Sequence, residues 1–214
     1  MITAVIFDLD GVIVSTDEYH YRAWKSLADR IGIHFDRTIN ESLRGVSRMA
    51  SLDILLGDHA TAYTTEEKHD LADSKNRHYR QLLDLLSPAD ILPGVLRLLE
   101  ELKSHGVGLV IGSSSKNAPA ILQKIGLQHT FDAVSDGNNI LRSKPDPSVF
   151  LMAAQMLQIP PACCVVVEDA YAGIEAALAA GMKAFAVGFA AGHPNANGRA
   201  ESLETVSAAQ LINL

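Results

Sequence analysis

Asp8 and Asp10 stand two residues apart at the end of an apolar run, in Val5-Ile6-Phe7-Asp8-Leu9-Asp10-Gly11-Val12. In an extended segment residues i and i+2 project to the same side, so these two carboxylates can converge on one small volume. There they repel and lose hydration, which is unfavourable unless a cation or a proton lies between them. Taken alone, D-x-D-G is equally a surface turn with two solvated aspartates. Its position argues for chemistry: the run from Ala4 to Phe7 has the unbroken apolar character of a central parallel strand. The carboxyl ends of such strands are where open α/β sheets hold ligands. Three more apolar runs end or lead into polar groups: Ser113 after 107–111, Lys144 in the loop Ser143-Lys144-Pro145-Asp146-Pro147 after 131–135, and Glu168-Asp169 after 163–167. A lone lysine in a proline loop is ordinarily a solvated one; beside these carboxylates it becomes a candidate anion ligand.

The elements that must carry these groups follow a regular alternation. Pro93-Gly94 opens a helix with Val95, Leu98, Leu99 and Leu102 at helical spacing, and Gly106 closes it. A strand at 107–111 leads through Gly112-Ser113-Ser114-Ser115-Lys116-Asn117 to a helix with Asn117 as N-cap and Pro119 in its first turn. That helix ends at Gly126. A third strand at 131–135, a helix over Ser148–Leu157, a strand at 163–167, a helix at 170–180 stopped by Gly181 and a strand at 184–187 complete the pattern, with 192–199 as a connecting loop. Strands alternating with helices imply a doubly wound parallel α/β sheet with right-handed crossovers.

Residues 15–88 break this rhythm and read as helices only, so an inserted helical cap domain is expected there, with 1–14 and 89–214 forming the α/β core. A helix over Asp17–Ile31 carries Ala23, Trp24, Leu27 and Ile31 on one face. A second, over 66–86, places Leu71, Tyr79, Leu82, Leu83 and Leu86 along a stripe that also contains Lys75. Lys75 has two readings: a stem lying on apolar surface with its ammonium in water, or a cation aimed at a ligand beneath the insert. Arg44-Gly45-Val46-Ser47-Arg48 is a short basic stretch of the kind that can wrap an anion.

Composition narrows the class. With 214 residues, 48% hydrophobic and 20% charged, the chain can bury a full core as one large domain or a domain with an insertion. Its apolar runs are far shorter than the roughly 20 residues that span a bilayer, and its opening lacks the basic region and cleavage site of a secretion signal. No membrane partner and a cytoplasmic location are therefore expected. A net charge of -7 argues against nucleic acid. Cys163 and Cys164 are adjacent, with Cα atoms about 3.8 Å apart, too close for an ordinary disulfide; reduced core residues in a strand are expected.

Together, D-x-D-G, the hydroxyl of Ser113, Lys144 in a K-P-D-P loop and Glu168-Asp169, in this order along the whole chain, resemble the four motifs of the haloacid dehalogenase superfamily. The resemblance implies a sheet of order 3-2-1-4-5 and phosphoryl transfer, with Asp8 as nucleophile, Asp10 as general acid and base, and Ser113 and Lys144 on the phosphate. Mg²⁺ would be held by Asp8, the backbone carbonyl of Asp10, Glu168 and Asp169, a hard oxygen set. It also puts Thr16 and His20 at the hinge that orients Asp10. Acid duty requires Asp10 to sit above the ordinary Asp pKa of about 3.9. Within the superfamily, Thr16, His20, Trp24, Gly45-Val46-Ser47-Arg48, Lys75-Asn76 and Ser113 to Asn117 resemble the hexose-phosphate mutases, although Ser114 stands where a smaller residue is common. In that reading Arg48, Ser115, Lys116 and Asn117 clamp a distal phosphate, while Trp24 and Lys75 line the sugar side. The expectation is interconversion of β-D-glucose 1-phosphate and glucose 6-phosphate through β-glucose 1,6-bisphosphate, by a monomer whose cap must swing. A Mg²⁺-dependent sugar-phosphate phosphatase is the alternative. A non-enzymatic sugar-phosphate-binding protein would be expected to lack Asp8, Lys144 or an acidic metal ligand.

Overall fold

The computed structural model of the chain describes residues 1–214. Its first strand, β1 (Ala4–Phe7), is buried at every position, because it pairs in parallel with a strand on each side. Val5 and Phe7 face one apolar cluster and Ala4 and Ile6 the other, so both sides of β1 are covered and neither shows the alternation of a half-exposed strand. Four helices follow: α1 (Asp17–Ile31), α2 (Arg37–Glu41), α3 (Arg48–Leu56) and α4 (Thr65–Leu82). Trp24, Leu27, Phe35, Leu52, Leu55, Leu56 and Ala72 bury one another in an apolar cluster separate from the two on the sheet.

The alternating part then runs α5 (Val95–Ser104), β2 (Gly108–Gly112), α6 (Ala118–Lys124), β3 (Ala133–Ser135), α7 (Ser148–Leu157), β4 (Cys164–Glu168), α8 (Tyr171–Ala179), β5 (Lys183–Val187), β6 (Gly198–Ala200) and α9 (Ala208–Ile212). All six strands are parallel, in the order β3-β2-β1-β4-β5-β6. The order reverses at β1, between β2 and β4, and the carboxyl ends of those three strands therefore border the crevice where such sheets bind ligands. α5, α6 and α9 pack on one face, α7 and α8 on the other.

The expected order 3-2-1-4-5 is present and is extended by one strand. The stretch 192–199, expected to be a loop, ends in β6, a three-residue edge strand whose residues are only partly covered or exposed and which leaves no periodic pattern to read. The helix expected over 66–86 stops at Leu82 and tightens into a 3-10 turn at Leu83–Leu85. Cys163 lies in a short turn, Pro161–Cys163, and only Cys164 is a buried strand residue; both thiols are free. Asn117 precedes α6 as expected but makes no side-chain cap; its side-chain NH2 instead donates to Asn76.

Candidate active site

The ends of β1 and β4 bring Asp8, Glu168 and Asp169 together, with one oxygen from each lying within 4.8 Å of the others. Asp10 directs its carboxyl away from that group. Its two oxygens accept from the backbone N–H and the hydroxyl of Thr16, both at 2.6 Å, which leaves the Asp10 backbone carbonyl as the only atom it could offer an ion. Gly11 makes the close approach possible: its φ is +88°, and a Cβ there would lie 2.1 Å from Asp169 Oδ2. Gly173, in the first turn of α8, plays the same part for Glu168, whose carboxyl would meet a Cβ at 2.0 Å. Glu168 Oε1 also accepts from the Ala170 N–H at 3.0 Å.

Lys144, almost fully buried, is the cation of this cluster. It pairs with Asp8 Oδ1 and lies 2.7 Å from Glu168 Oε2. Burial alone would lower its pKa, and the two carboxylates more than reverse that, so the ammonium is held above its ordinary range. Burial raises Glu168 to about 7, with repulsion from Asp8 adding to the shift and Lys144 opposing it. Asp169 is raised well above its ordinary range by burial and by Glu168, Asp8 and Asp10, against the pull of Arg44. Three crowded carboxyls whose ionised forms are this disfavoured fit a hard divalent cation such as Mg²⁺.

Asp10 rises to about 6 by burial, although the two Thr16 hydrogen bonds oppose the shift; Asp8 and Asp17 add to it. Behind Thr16, the buried Tyr79 donates to its hydroxyl at 2.9 Å. His20 stacks on the Tyr79 ring at 4.0 Å and lies 3.8 Å from Asp10 Oδ2 through Nε2. Burial and the nearby Lys75 and Arg48 charges hold His20 well below its ordinary pKa, so the ring is neutral. Lys75, its pKa lowered well below the ordinary range by burial and by Arg48, has its Nζ 2.8 Å from the ring Nδ1; when Nζ donates there, the Nε2–H faces Asp10. The solvated-head reading of Lys75 does not hold: the residue is 4% exposed, with its ammonium over the rings of Trp24 and Tyr79 at 4.5 and 4.6 Å.

One cavity of about 1000 Å³ joins these groups to the rest. Every residue singled out from the sequence lines it except Thr16, which is buried beneath Asp10. From the helical insert come His20, Trp24, Gly45, Val46, Arg48 and Lys75; from the sheet side come Asp8, Asp10, Lys144, Glu168, Asp169 and the β2 loop. In that loop the Ser113 hydroxyl accepts from the Ser115 N–H at 3.1 Å, and the Ser115 hydroxyl from the Asn117 N–H at 3.1 Å. The Ser114 hydroxyl is buried without a partner. Lys116 is tied through its carbonyl to Asn138. Asn117 donates to Asn76 at 3.0 Å, a direct bond between the β2 loop and α4. α6 is only seven residues long, so charge at a distal site has to come chiefly from Arg48 and Lys116 rather than from helix amides. Arg48 is 3.2 Å from Asp73.

Sequence reasoning missed Tyr79 as a polar group, because its place on an apolar stripe explains it fully as core. It also gave Arg44 no partner, and Arg44 reaches both Asp17 and Asp169.

The sequence matches the haloacid dehalogenase-like hydrolase family over residues 2–181. It is 49% identical over 193 residues to the β-phosphoglucomutase of Bacillus subtilis (strain 168), covering 89% of this chain and 84% of that protein. The fructose-1-phosphate phosphatase of Escherichia coli (strain K12) is 37% identical over 187 residues, 84% of this chain and 93% of that one. Among solved structures, the β-phosphoglucomutase of Clostridium difficile superposes with a TM-score of 0.95 at 40% identity, covering 100% of this chain and 96% of the other.

Proposed function

The chain belongs to the haloacid dehalogenase-like hydrolase family, and from that premise we propose that it is a mutase interconverting β-D-glucose 1-phosphate and D-glucose 6-phosphate. The route is an aspartyl-phosphate enzyme and a β-glucose 1,6-bisphosphate intermediate. The observation that carries this reading is a single cavity with cations contributed from both sides: Lys144 beside Asp8, and Arg48 and Lys116 on the rest of its lining. A hydrolase needs only the first. A mutase must hold a second phosphate away from the reacting one, so that the bisphosphate can present either end.

An Asp8 carboxylate oxygen attacks phosphorus as the bond from phosphorus to the sugar oxygen breaks, and Asp10 gives that oxygen a proton. In the other half Asp10 takes the proton of the 6-hydroxyl of β-glucose 1-phosphate as that oxygen attacks the aspartyl phosphate, which frees Asp8 and forms the bisphosphate. Once the bisphosphate has turned, the first step at its 1-phosphate releases glucose 6-phosphate. A carboxyl raised to about 6 exchanges protons near neutral pH far better than one at its ordinary value. Thr16 holds it in place, and neutral His20, its tautomer set by Lys75, stands behind it. Lys144 and Ser113 receive the phosphoryl oxygens. Asp8, Glu168, Asp169 and the Asp10 carbonyl would hold a divalent ion, which would supply neutralising charge to the transferring group.

Residues 15–88 act as a cap over a core of 1–14 and 89–214, and the Asn76 to Asn117 bond is one of the contacts that close it. We take the working unit to be a monomer, since the cap must open to exchange substrate, and the setting to be the cytoplasm, where charged sugar phosphates are retained. The second reading, a Mg²⁺-dependent sugar-phosphate phosphatase, is favoured by the likeness to the Escherichia coli fructose-1-phosphate phosphatase. A panel of α- and β-sugar phosphates, with Mg²⁺ and a trace of β-glucose 1,6-bisphosphate, separates the two. The mutase yields isomerised hexose phosphate from β-glucose 1-phosphate; inorganic phosphate as the only product across the panel would overturn it.

A further inference from the structure

The basic stretch Arg44 to Arg48 divides in two. Both arginines line the cavity, but Arg48 pairs with Asp73 inside the insert, whereas Arg44 crosses from the insert to the carboxylates at the end of β4. Its guanidinium pairs with Asp17 on α1 and lies 3.5 Å from Asp169 Oδ2. It also sits 5.6 Å from the centre of the Phe189 ring, and its Nε is buried with no acceptor. Gly45, at φ +72°, itself lies against Ala170, whose side chain a Cβ at this position would meet at 3.1 Å. An arginine that leaves one buried donor unpaired is not satisfied by local packing. What holds it there is charge: Asp8, Glu168 and Asp169 crowd together, with Lys144 as the cation on Asp8 and Glu168.

We propose that Arg44 is a positioning residue that stands in for the metal's charge at Asp169. The inference rests on Asp169 being a metal ligand, as proposed above. In the metal-free enzyme the guanidinium holds Asp169 and seats the 44–46 loop on the core. A divalent ion and a guanidinium on one carboxylate repel, so each weakens the other's hold. By reciprocity, Arg44 lowers the affinity for Mg²⁺, and bound Mg²⁺ loosens this contact of the insert with the core. Asp17 is the partner that draws Arg44 away from Asp169.

Calorimetric titration of Mg²⁺ into the metal-free full-length protein tests this without any turnover. Arg44→Gln should bind Mg²⁺ about fivefold or more tightly, and Arg44→Lys should stay near the wild type. Asp17→Asn, at a half-exposed position, should weaken binding, and that weakening should vanish in the Arg44→Gln background, because it acts through Arg44. Equal or weaker binding by Arg44→Gln overturns the inference, as does an Asp17→Asn effect that persists without Arg44. A wild-type protein that takes up no Mg²⁺ removes the ligand set itself, and the inference with it.

Discussion

Glu168 shows at one residue how the site balances its charges. Burial and the nearby Asp8 push its carboxyl up to about 7 against the pull of Lys144, whereas an unperturbed Glu titrates near 4.3. To bind a cation it must be ionised, so protons and metal compete for it. A raised pKa moves that competition into the neutral range: the apparent Mg²⁺ affinity should level off above pH 7 and fall as pH drops below it. Titrations at pH 8, 7, 6 and 5.5 check this, and an affinity flat down to pH 5.5 would show that Glu168 is not a ligand. Asp8, Asp10, Glu168 and Asp169 were legible in the sequence because each lies within three residues of a strand end, where a local pattern fixes place and direction, and Lys144 because it stands in a proline loop just before α7. Tyr79 and Arg44 were not. Tyr79 meets Thr16 across 63 positions, and Arg44 meets Asp169 across 125; no local periodicity records such pairings.

At the scale of the element, α8 is held by its contact with the carboxylates at the end of β4. Replacing a helical Gly by Ala ordinarily stabilises by about 0.5–1 kcal/mol. Gly173→Ala should do the reverse, because its Cβ would intrude on the Glu168 carboxyl, and overpacking of this kind costs about 1–3 kcal/mol. A melting temperature lowered by several degrees, together with weakened Mg²⁺ binding, is expected; a more stable variant with unchanged Mg²⁺ binding would refute the close fit. α1 and α7 were read from the sequence with their observed bounds, since an apolar face or run and clear end signals coincide there. The third and sixth strands were legible only in part or not at all. Each has three residues, and their limits are set by pairing with a neighbour rather than by a pattern of their own.

For the whole molecule, the sheet presents Asp8, the proposed nucleophile, and the helical insert covers it. Lys75, His20 and Trp24 come from the insert, and Asp8, Lys144 and Glu168 from the sheet, so the cavity exists only where the two meet. The alternating α/β part and the helical character of 15–88 were legible because alternation and its interruption are patterns of the chain as a whole, whereas the order of the strands came from the family resemblance. The depth to which Lys75 is buried was not, since it depends on α1 and α4 packing together. The central claim is that the phosphoryl group on Asp8 passes to a sugar and not to water. Its most direct test is to charge the enzyme with β-glucose 1,6-bisphosphate carrying a radiolabelled phosphoryl group, then chase it with unlabelled glucose 6-phosphate in Mg²⁺. The account predicts that the label leaves the wild-type enzyme as sugar phosphate and never loads onto Asp8→Asn. Release of the label as inorganic phosphate at the same rate with and without the chase would contradict it.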